Sequence, residues 1–311
     1  MTSLREVGEA GIIRSLLPYL ASKHDRLLIG PGEDDTAAWR EPDGSVTVAT
    51  CDTMVEGVHF ERAWLDPEDV GWRALALAAG DLAAKGARPT YGLVSLALPE
   101  SWSHEDVVRL YGGMAELAAQ VGLQLVGGDL TAVSSAAAIT LALLGKATSP
   151  DVLPRSAARP GWTVAVTGAL GAPSAALREL SHGETCPPDW ERALRRPVPQ
   201  LERGQRLAAA HICCGDISDG LYQELEKFRT AAGVGARIEL AKVPHVSGVS
   251  PEQALVSGEE VELVCVAPGE LIAAAGELTA VGQLTGDAAI VVVGDGGEPV
   301  ELSARGYEHF T

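Results

Sequence analysis

Thr50-Cys51-Asp52-Thr53-Met54-Val55-Glu56-Gly57-Val58-His59-Phe60 is the stretch on which the reading of this chain turns. It begins where Val46, Val48 and Thr50 alternate with residues of the other face, the period of a half-buried strand. It ends in a loop at Glu56-Gly57 before His59 and Phe60. Asp52 is therefore expected at or just past a strand end. Working outward, acids recur beside glycine or at element ends: Gly32-Glu33-Asp34-Asp35-Thr36 ahead of it, then Asp81, Gly127-Gly128-Asp129 and Asp216-Ile217-Ser218-Asp219-Gly220 behind it. Carboxylates converging from separate elements repel one another and persist together only if cations hold them. Hard oxygen ligands of this kind suit magnesium.

The 311 residues suggest two domains or one large one, at about 150 residues per domain. With 46% hydrophobic and 21% charged residues the chain is of ordinary globular composition, long enough for a sizeable core. A net charge of -18 argues against nucleic acid or an anionic membrane surface as a partner, since both need a basic footprint. Nucleotides stay open, because metal ions can carry the positive charge. The cysteines, Cys51, Cys186, Cys213, Cys214 and Cys265, include no Cys-x-x-Cys pair, so no zinc or disulfide framework follows and a reducing compartment is the simple expectation. Arg5, Glu6 and Glu9 interrupt the N-terminal apolar positions, unlike a secretory signal. No run approaches the ~18 apolar residues of a membrane span. A soluble, cytoplasmic protein is expected.

Taken in order, residues 4–20 read as an amphipathic packing helix, and Leu27 to Ile29 as a short strand entering Gly30-Pro31-Gly32 and the acidic pair, which by itself could be turn chemistry. Asp66-Pro67 starts a helix that stops near Gly86. Asp81 shares the apolar face of Ala74, Leu77 and Ala78; either Lys85, four residues on, or a cation would satisfy it. Tyr91 to Leu98 is a strand. Ser103 with Asp106 caps a helix over His104 to Gln120, ended by Gly122. Leu123 to Val126 is a buried strand that delivers Gly127-Gly128-Asp129 at its end, and Ala138 to Leu144 another.

The proline-rich segment 145–160 marks a junction, dividing the chain into 1–148 and 149–311. Thr163 to Thr167 is a strand leading through Gly168-Ala169-Leu170-Gly171 into a helix opened by Pro173. That arrangement is able to cradle phosphate or to serve as a plain turn. Residues 181–200 read as a surface segment. A helix through Leu207 and Ala210 follows. Asp216 and Asp219 flank Ser218 at the entry to a helix near Leu221, where carboxylates are favoured even without metal. Strands follow at Arg237 to Leu240, Val261 to Ala267 and Ala289 to Val293.

In order and spacing, these stretches resemble the thiamine-monophosphate kinase family, within the superfamily of aminoimidazole ribonucleotide synthetase and selenophosphate synthetase. The similar motifs are Gly32 to Ala37, Thr50 to Phe60, Gly71 to Pro89, Gly127 to Thr131, Leu153 to Gly161, Gly168 to Leu177, Asp216 to Leu221, Gly258 to Leu263, Gly282 to Asp287 and Gly306 to Phe310. The resemblance implies a mixed α/β (α+β) two-domain fold of the aminoimidazole ribonucleotide synthetase type, whose first domain pairs strands with a second subunit in a homodimer. It implies ATP-dependent conversion of thiamine monophosphate to thiamine diphosphate with several magnesium ions and no protein nucleophile. Matched by position, the metal ligands are Asp35, Thr50, Asp52, Asp81, Asp129, Asp216 and Asp219. ATP contacts are Tyr111, Gly128, Asp129, Arg155 and Ser218, and substrate contacts His59, Glu259 and Tyr307. From the residues alone, His59 and Tyr111 are equally readable as structural.

The chain departs from the family pattern in four places. Ala78-Ala79-Gly80 stands where Asn-Leu-Ser is usual, Leu130 for threonine, Lys85 for methionine and Glu260-Val261 for Asp-Tyr. These changes remove hydrogen-bonding groups around the ligands and bear on the substrate pocket more than on the fold. Two other readings compete: an ATP-dependent kinase or synthetase of the same superfamily with a different acceptor, and a nucleotide-binding protein without turnover.

Overall fold

A computed structural model describes residues 2–20 and 25–310. After helix α1 (Leu4–Leu16), the first half contains β1 (Leu27–Ile29), β2 (Ala37–Arg40), β3 (Val46–Val55), α2 (Pro67–Ala84), β4 (Ala87–Leu98), α3 (His104–Val121), β5 (Gln124–Ala132) and β6 (Ala138–Ala147). Its six strands form one sheet in the order β1-β2-β3-β6-β4-β5. All neighbours are antiparallel except β4 and β5. A parallel pair needs a crossover, and α3 supplies it, opened by the Ser103/Asp106 capping box and closed by left-handed Gly122.

Helices α2 and α3 cover one face of this sheet. They approach so closely that a Cβ on Gly71 would lie 1.9 Å from the Leu110 carbonyl oxygen, hence glycine there. The covered face presents Val48, Leu141, Val94 and Leu96, all buried. The other face is bare. Tyr91, Leu93 and Leu144 stand exposed on it, Cys51 is exposed with them, and β5 leaves one edge unpaired.

The second half contains β7 (Thr163–Val166), α4 (Ala172–Ser181), α5 (Pro188–Arg195), α6 (Leu201–Ala209), β8 (Cys213–Asp216), α7 (Leu221–Ala232), β9 (Gly235–Glu239), α8 (Pro251–Leu255), β10 (Leu263–Ala267), α9 (Gly269–Ala275), β11 (Thr279–Thr285) and β12 (Ile290–Val293). Its sheet runs β12-β9-β11-β7-β10-β8, antiparallel except for β12 beside β9. The two halves meet along α2. Trp72 Nε1 donates to the Pro197 carbonyl at 2.7 Å, and Arg73 to that of Leu194 at 2.5 Å. Among the described residues no helix is long and apolar enough to cross a membrane.

Several local expectations shift. Asp52 lies inside β3 rather than at its end, because β3 stays in register with β6 from Thr47 to Val55. Asp129 likewise lies inside β5, which continues through both glycines on a ladder with β4. Segment 181–200 is not merely surface: it folds into α5, buries Trp190 and Leu194, and anchors Arg195 and Arg196 on Asp69. Helix α1 breaks at Gly8 (φ 67°), gives way to a 3-10 turn at Leu17, and fully buries none of its side chains. It does not act as a packing helix within one chain.

Candidate active site

Three elements deliver one carboxylate each to a common point. Asp35 comes from the β1–β2 turn, Asp81 from the last turns of α2, and Asp216 from the end of β8. Their oxygens lie within 4.8 Å of one another. Thr50, from β3, donates its hydroxyl to Asp81 Oδ2. Gly80 of α2 lies next to Asp216, whose Cβ would be in ordinary van der Waals contact, 3.7 Å, with a Cβ built there. Asp52, on the same covered face of β3, accepts from the Thr53 amide at 2.8 Å. It is close enough to Asp216, Asp219 and Asp35 to be affected by their charge.

Burial pushes the Asp81 carboxyl well above the usual range, and the charges of Asp216 and Asp35 add to the push. Burial likewise raises Asp216, helped by Asp35, and raises Asp52, helped by Asp216. Asp35 goes the other way. Burial works against its ionised form, but the cations of Arg155 and Lys227 outweigh that and hold it well below the carboxylate range. The donor set of carboxylate oxygens and one hydroxyl fits a hard divalent ion. Its mutual repulsion is what such an ion would relieve.

A second charged group adjoins this one. Asp34, buried, pairs with Lys85 Nζ at 2.5 Å and Arg155 Nη1 at 3.2 Å. Arg155 also reaches Asp35 and Glu224 at 2.5 Å each, and Lys85 donates to the Cys214 carbonyl at 2.8 Å. Lys85 therefore serves Asp34 and not Asp81, settling that alternative. At the solvent side, Lys227 Nζ lies 3.1 Å from both Asp35 and Asp219 and 3.5 Å from Glu224. Asp35, Asp219 and Lys227 line a cavity of about 630 Å³ bounded by α1, α7 and the C-terminal tail.

Around that tail, Tyr307 donates its amide to the Asp219 carbonyl at 3.1 Å. Preceding it, Gly306 (φ 104°) would place a Cβ 2.4 Å from the same oxygen, so no side chain fits there. His59 lies 5.5 Å from His309 and 6.4 Å from Tyr307, ring to ring. Its Nδ1 accepts the Val55 amide at 3.1 Å. Burial, then the neighbouring His309, keeps the ring's pKa low, so the neutral imidazole carries its proton on Nε2 and offers it as a donor. Glu259 has a left-handed backbone (φ 64°). It forms an ion pair with buried Arg73 and donates its amide to the Ser218 carbonyl at 2.5 Å. Burial lowers Arg73 to about 9.

Not every expected residue gathers here. Thr53, Thr140, Ser95 and Asp129 form one row across β3, β6, β4 and β5, and the Thr53 and Thr140 hydroxyls meet at 2.8 Å. Asp129 is thus on the bare face, three strands from β3, or ~14 Å at the usual strand spacing. Asp52 is on the covered face. Gly128 accompanies Asp129, and Tyr111 stands partly exposed on α3. In the Gly168–Gly171 turn two amides are already taken: Leu170 donates to the Pro244 carbonyl at 2.9 Å and Gly171 to the buried Glu260 carboxylate at 2.6 Å. The unaided residue reading missed Lys227, Glu224, Arg73 and His309. Only an i,i+3 spacing on α7 linked Glu224 to Lys227 in sequence.

Comparison with known proteins bears on this geometry. Residues 33–147 match the AIR synthase related protein N-terminal domain. The thiamine-monophosphate kinase of Escherichia coli K12 is 34% identical over 97% of this chain and 98% of its own length. This chain belongs to the thiamine-monophosphate kinase family. The thiamine-monophosphate kinase of Bacillus subtilis is 33% identical, over 82% of both chains. A solved structure described as AaThiL complexed with AMPPCP and TMP has a TM-score of 0.87 and 29% identity, covering 99% of each chain. The mixed α/β fold expected from the motifs is the fold observed. Two of the departures from the thiamine-monophosphate kinase pattern acquire partners: Lys85 is absorbed into the Asp34 ion pair and Glu260 into the α4 N-terminus.

Proposed function

We propose that this chain transfers the γ-phosphate of ATP to thiamine monophosphate, giving thiamine diphosphate, with several magnesium ions held by Asp35, Thr50, Asp52, Asp81, Asp216 and Asp219. The observation that carries this reading is the meeting of Asp35, Asp81 and Asp216 within 4.8 Å, a crowd of like charges beside the family's motifs. When bound, magnesium would neutralise two anionic reactants that otherwise repel. The acceptor phosphate oxygen attacks the γ-phosphorus in line, the bond to the β-phosphate oxygen breaks, and no residue is phosphorylated.

The chain's own residues position the partners. Thr50 fixes Asp81 through its Oδ2. His59 directs Nε2–H at the acceptor phosphate, and Tyr307 and Glu259 border the thiamine moiety. Arg73 holds Glu259 in place, and through the Ser218 carbonyl the substrate loop and the nucleotide loop move together. Arg155 and Ser218 face ATP, with Arg155 oriented by Asp34 and Glu224.

Asp129, with Gly128 beside it, reaches the site from a second copy of the chain; Tyr111, on α3 over the other face of the sheet, keeps only the ATP contact that the family resemblance implies. The support is the position of Asp129, which shares the bare face with exposed Tyr91, Leu93 and Leu144, a face that a homodimer would cover. Mixing Asp129→Asn with Asp52→Asn subunits, each inactive alone, regains a fraction of activity if the site is shared; no recovery places Asp129 in its own chain's site. The reaction and its reactants belong to the cytoplasm.

A coupled assay with ATP, magnesium and thiamine monophosphate tests the activity. Thiamine diphosphate formation supports it. ATP consumption only with another acceptor points to a superfamily relative, and stabilisation by nucleotide without turnover to a binding protein.

A further inference from the structure

The amine of Lys227 sits where a cation is wanted. It lies 3.1 Å from Asp35 and Asp219 and 3.5 Å from Glu224. Two of these are assigned above to metal, and the third is already claimed by Arg155 on its other oxygen. Lys227 belongs to α7, one turn beyond Glu224, and only 30% of its side chain is exposed. A lysine is a compact charge on a flexible four-carbon stem. It is therefore able to withdraw without moving the helix. The neighbouring cavity bounded by α1 and the C-terminal tail gives it somewhere to go. Arg155, by contrast, is locked by Asp34, Asp35 and Glu224 and is almost fully buried.

We propose that Lys227 is the resident counter-ion of the metal-free site, competing with divalent metal for Asp35 and Asp219 and yielding them as metal binds. The proposal rests on the metal-site reading above. A competitor of this kind has two consequences, the second of which a merely structural lysine lacks. It keeps the unloaded carboxylates together, so the empty protein is stable. It also weakens metal binding, since each incoming ion must displace or repel an ammonium group.

The test is magnesium binding to the full-length protein after chelator treatment, read by thermal melting and calorimetry at constant ionic strength, without ATP or thiamine monophosphate. In Lys227→Met, the half-saturating magnesium concentration falls roughly tenfold, about 1.4 kcal/mol, and the melting temperature in chelator drops below wild type. Lys227→Arg keeps the charge and stays within about threefold of wild type; Lys227→Gln, which also removes the charge, carries the comparison if the methionine variant does not fold. An unchanged or raised magnesium requirement in Lys227→Met, or in Lys227→Gln, overturns the proposal. Because no substrate is present, this outcome is separate from whether the chain phosphorylates thiamine monophosphate.

Discussion

Asp34 and Asp35 are neighbours in the chain and opposites in role. Asp34 is buried between Lys85 and Arg155, each negative charge answered by a fixed positive one. Asp35 also pairs with Arg155 and Lys227, but its carboxylate faces Asp81 and Asp216 as well, where acid meets acid. The first arrangement is complete within the chain and joins its two halves. The second stays short of positive charge despite Arg155 and Lys227, since no ion pair among the described residues reaches Asp81 or Asp216, and an added cation would complete it. Adjacent aspartates thus separate scaffold from chemistry by what faces them and not by depth, since Asp81 and Asp216 are buried too.

This contrast breaks if both groups respond alike to substitution. The largest effect is expected at Asp52→Asn, which keeps the acceptor for the Thr53 amide and removes a charge from the crowd. Turnover should fall roughly a thousandfold or more, while melting without metal moves up, because a repulsion has gone. Asp34→Ala should do the reverse to stability: Lys85 and Arg155 lose a buried partner at about 3–5 kcal/mol, seen in chemical denaturation. A rise in stability there would end the distinction.

Glu260 sharpens the comparison as an intermediate case, a buried acid answered by neutral donors, the Gly171 amide and the Ser257 hydroxyl. Burial raises it to about 7 from 4.5, so folding takes up its proton. Its contribution is fully present below pH 4.5 and lost as pH rises through about 7. Glu260→Gln should erase that slope and stabilise the protein at pH 8 by up to about 3 kcal/mol, measured by denaturation across pH. The smallest effect is expected at His59→Asn, which preserves the bond to Val55 and deletes the Nε2 donor. The KM for thiamine monophosphate should rise about tenfold with little change in kcat. A fall in kcat alone would move His59 to the transition state.

Much of this was legible in sequence, and the limits are instructive. The helices with caps, such as α3 between Ser103 and Gly122, appear where local chemistry puts them. Asp35, Asp81 and Asp216 stood out because each sits at an element's end or on an apolar face. Asp52 and Asp129 were misplaced at strand ends because glycine and acid suggest a turn, whereas ladder partners on β6 and β4 hold them extended. Which face Asp129 points to depends on register across four strands, and no local pattern carries that. The Lys85 partner was likewise undecidable. Asp81 is nearer in sequence, but Asp34 arrives from a distant turn.

The position of Cys51 has a practical outcome. It is exposed on the bare sheet face, whereas Cys213, Cys214 and Cys265 are buried and Cys186 is half-buried. A thiol-specific reagent should label Cys51 readily in an isolated chain and slowly wherever another surface lies over the sheet. Mapping the modified peptide at increasing protein concentration would then report on subunit pairing with no engineered probe.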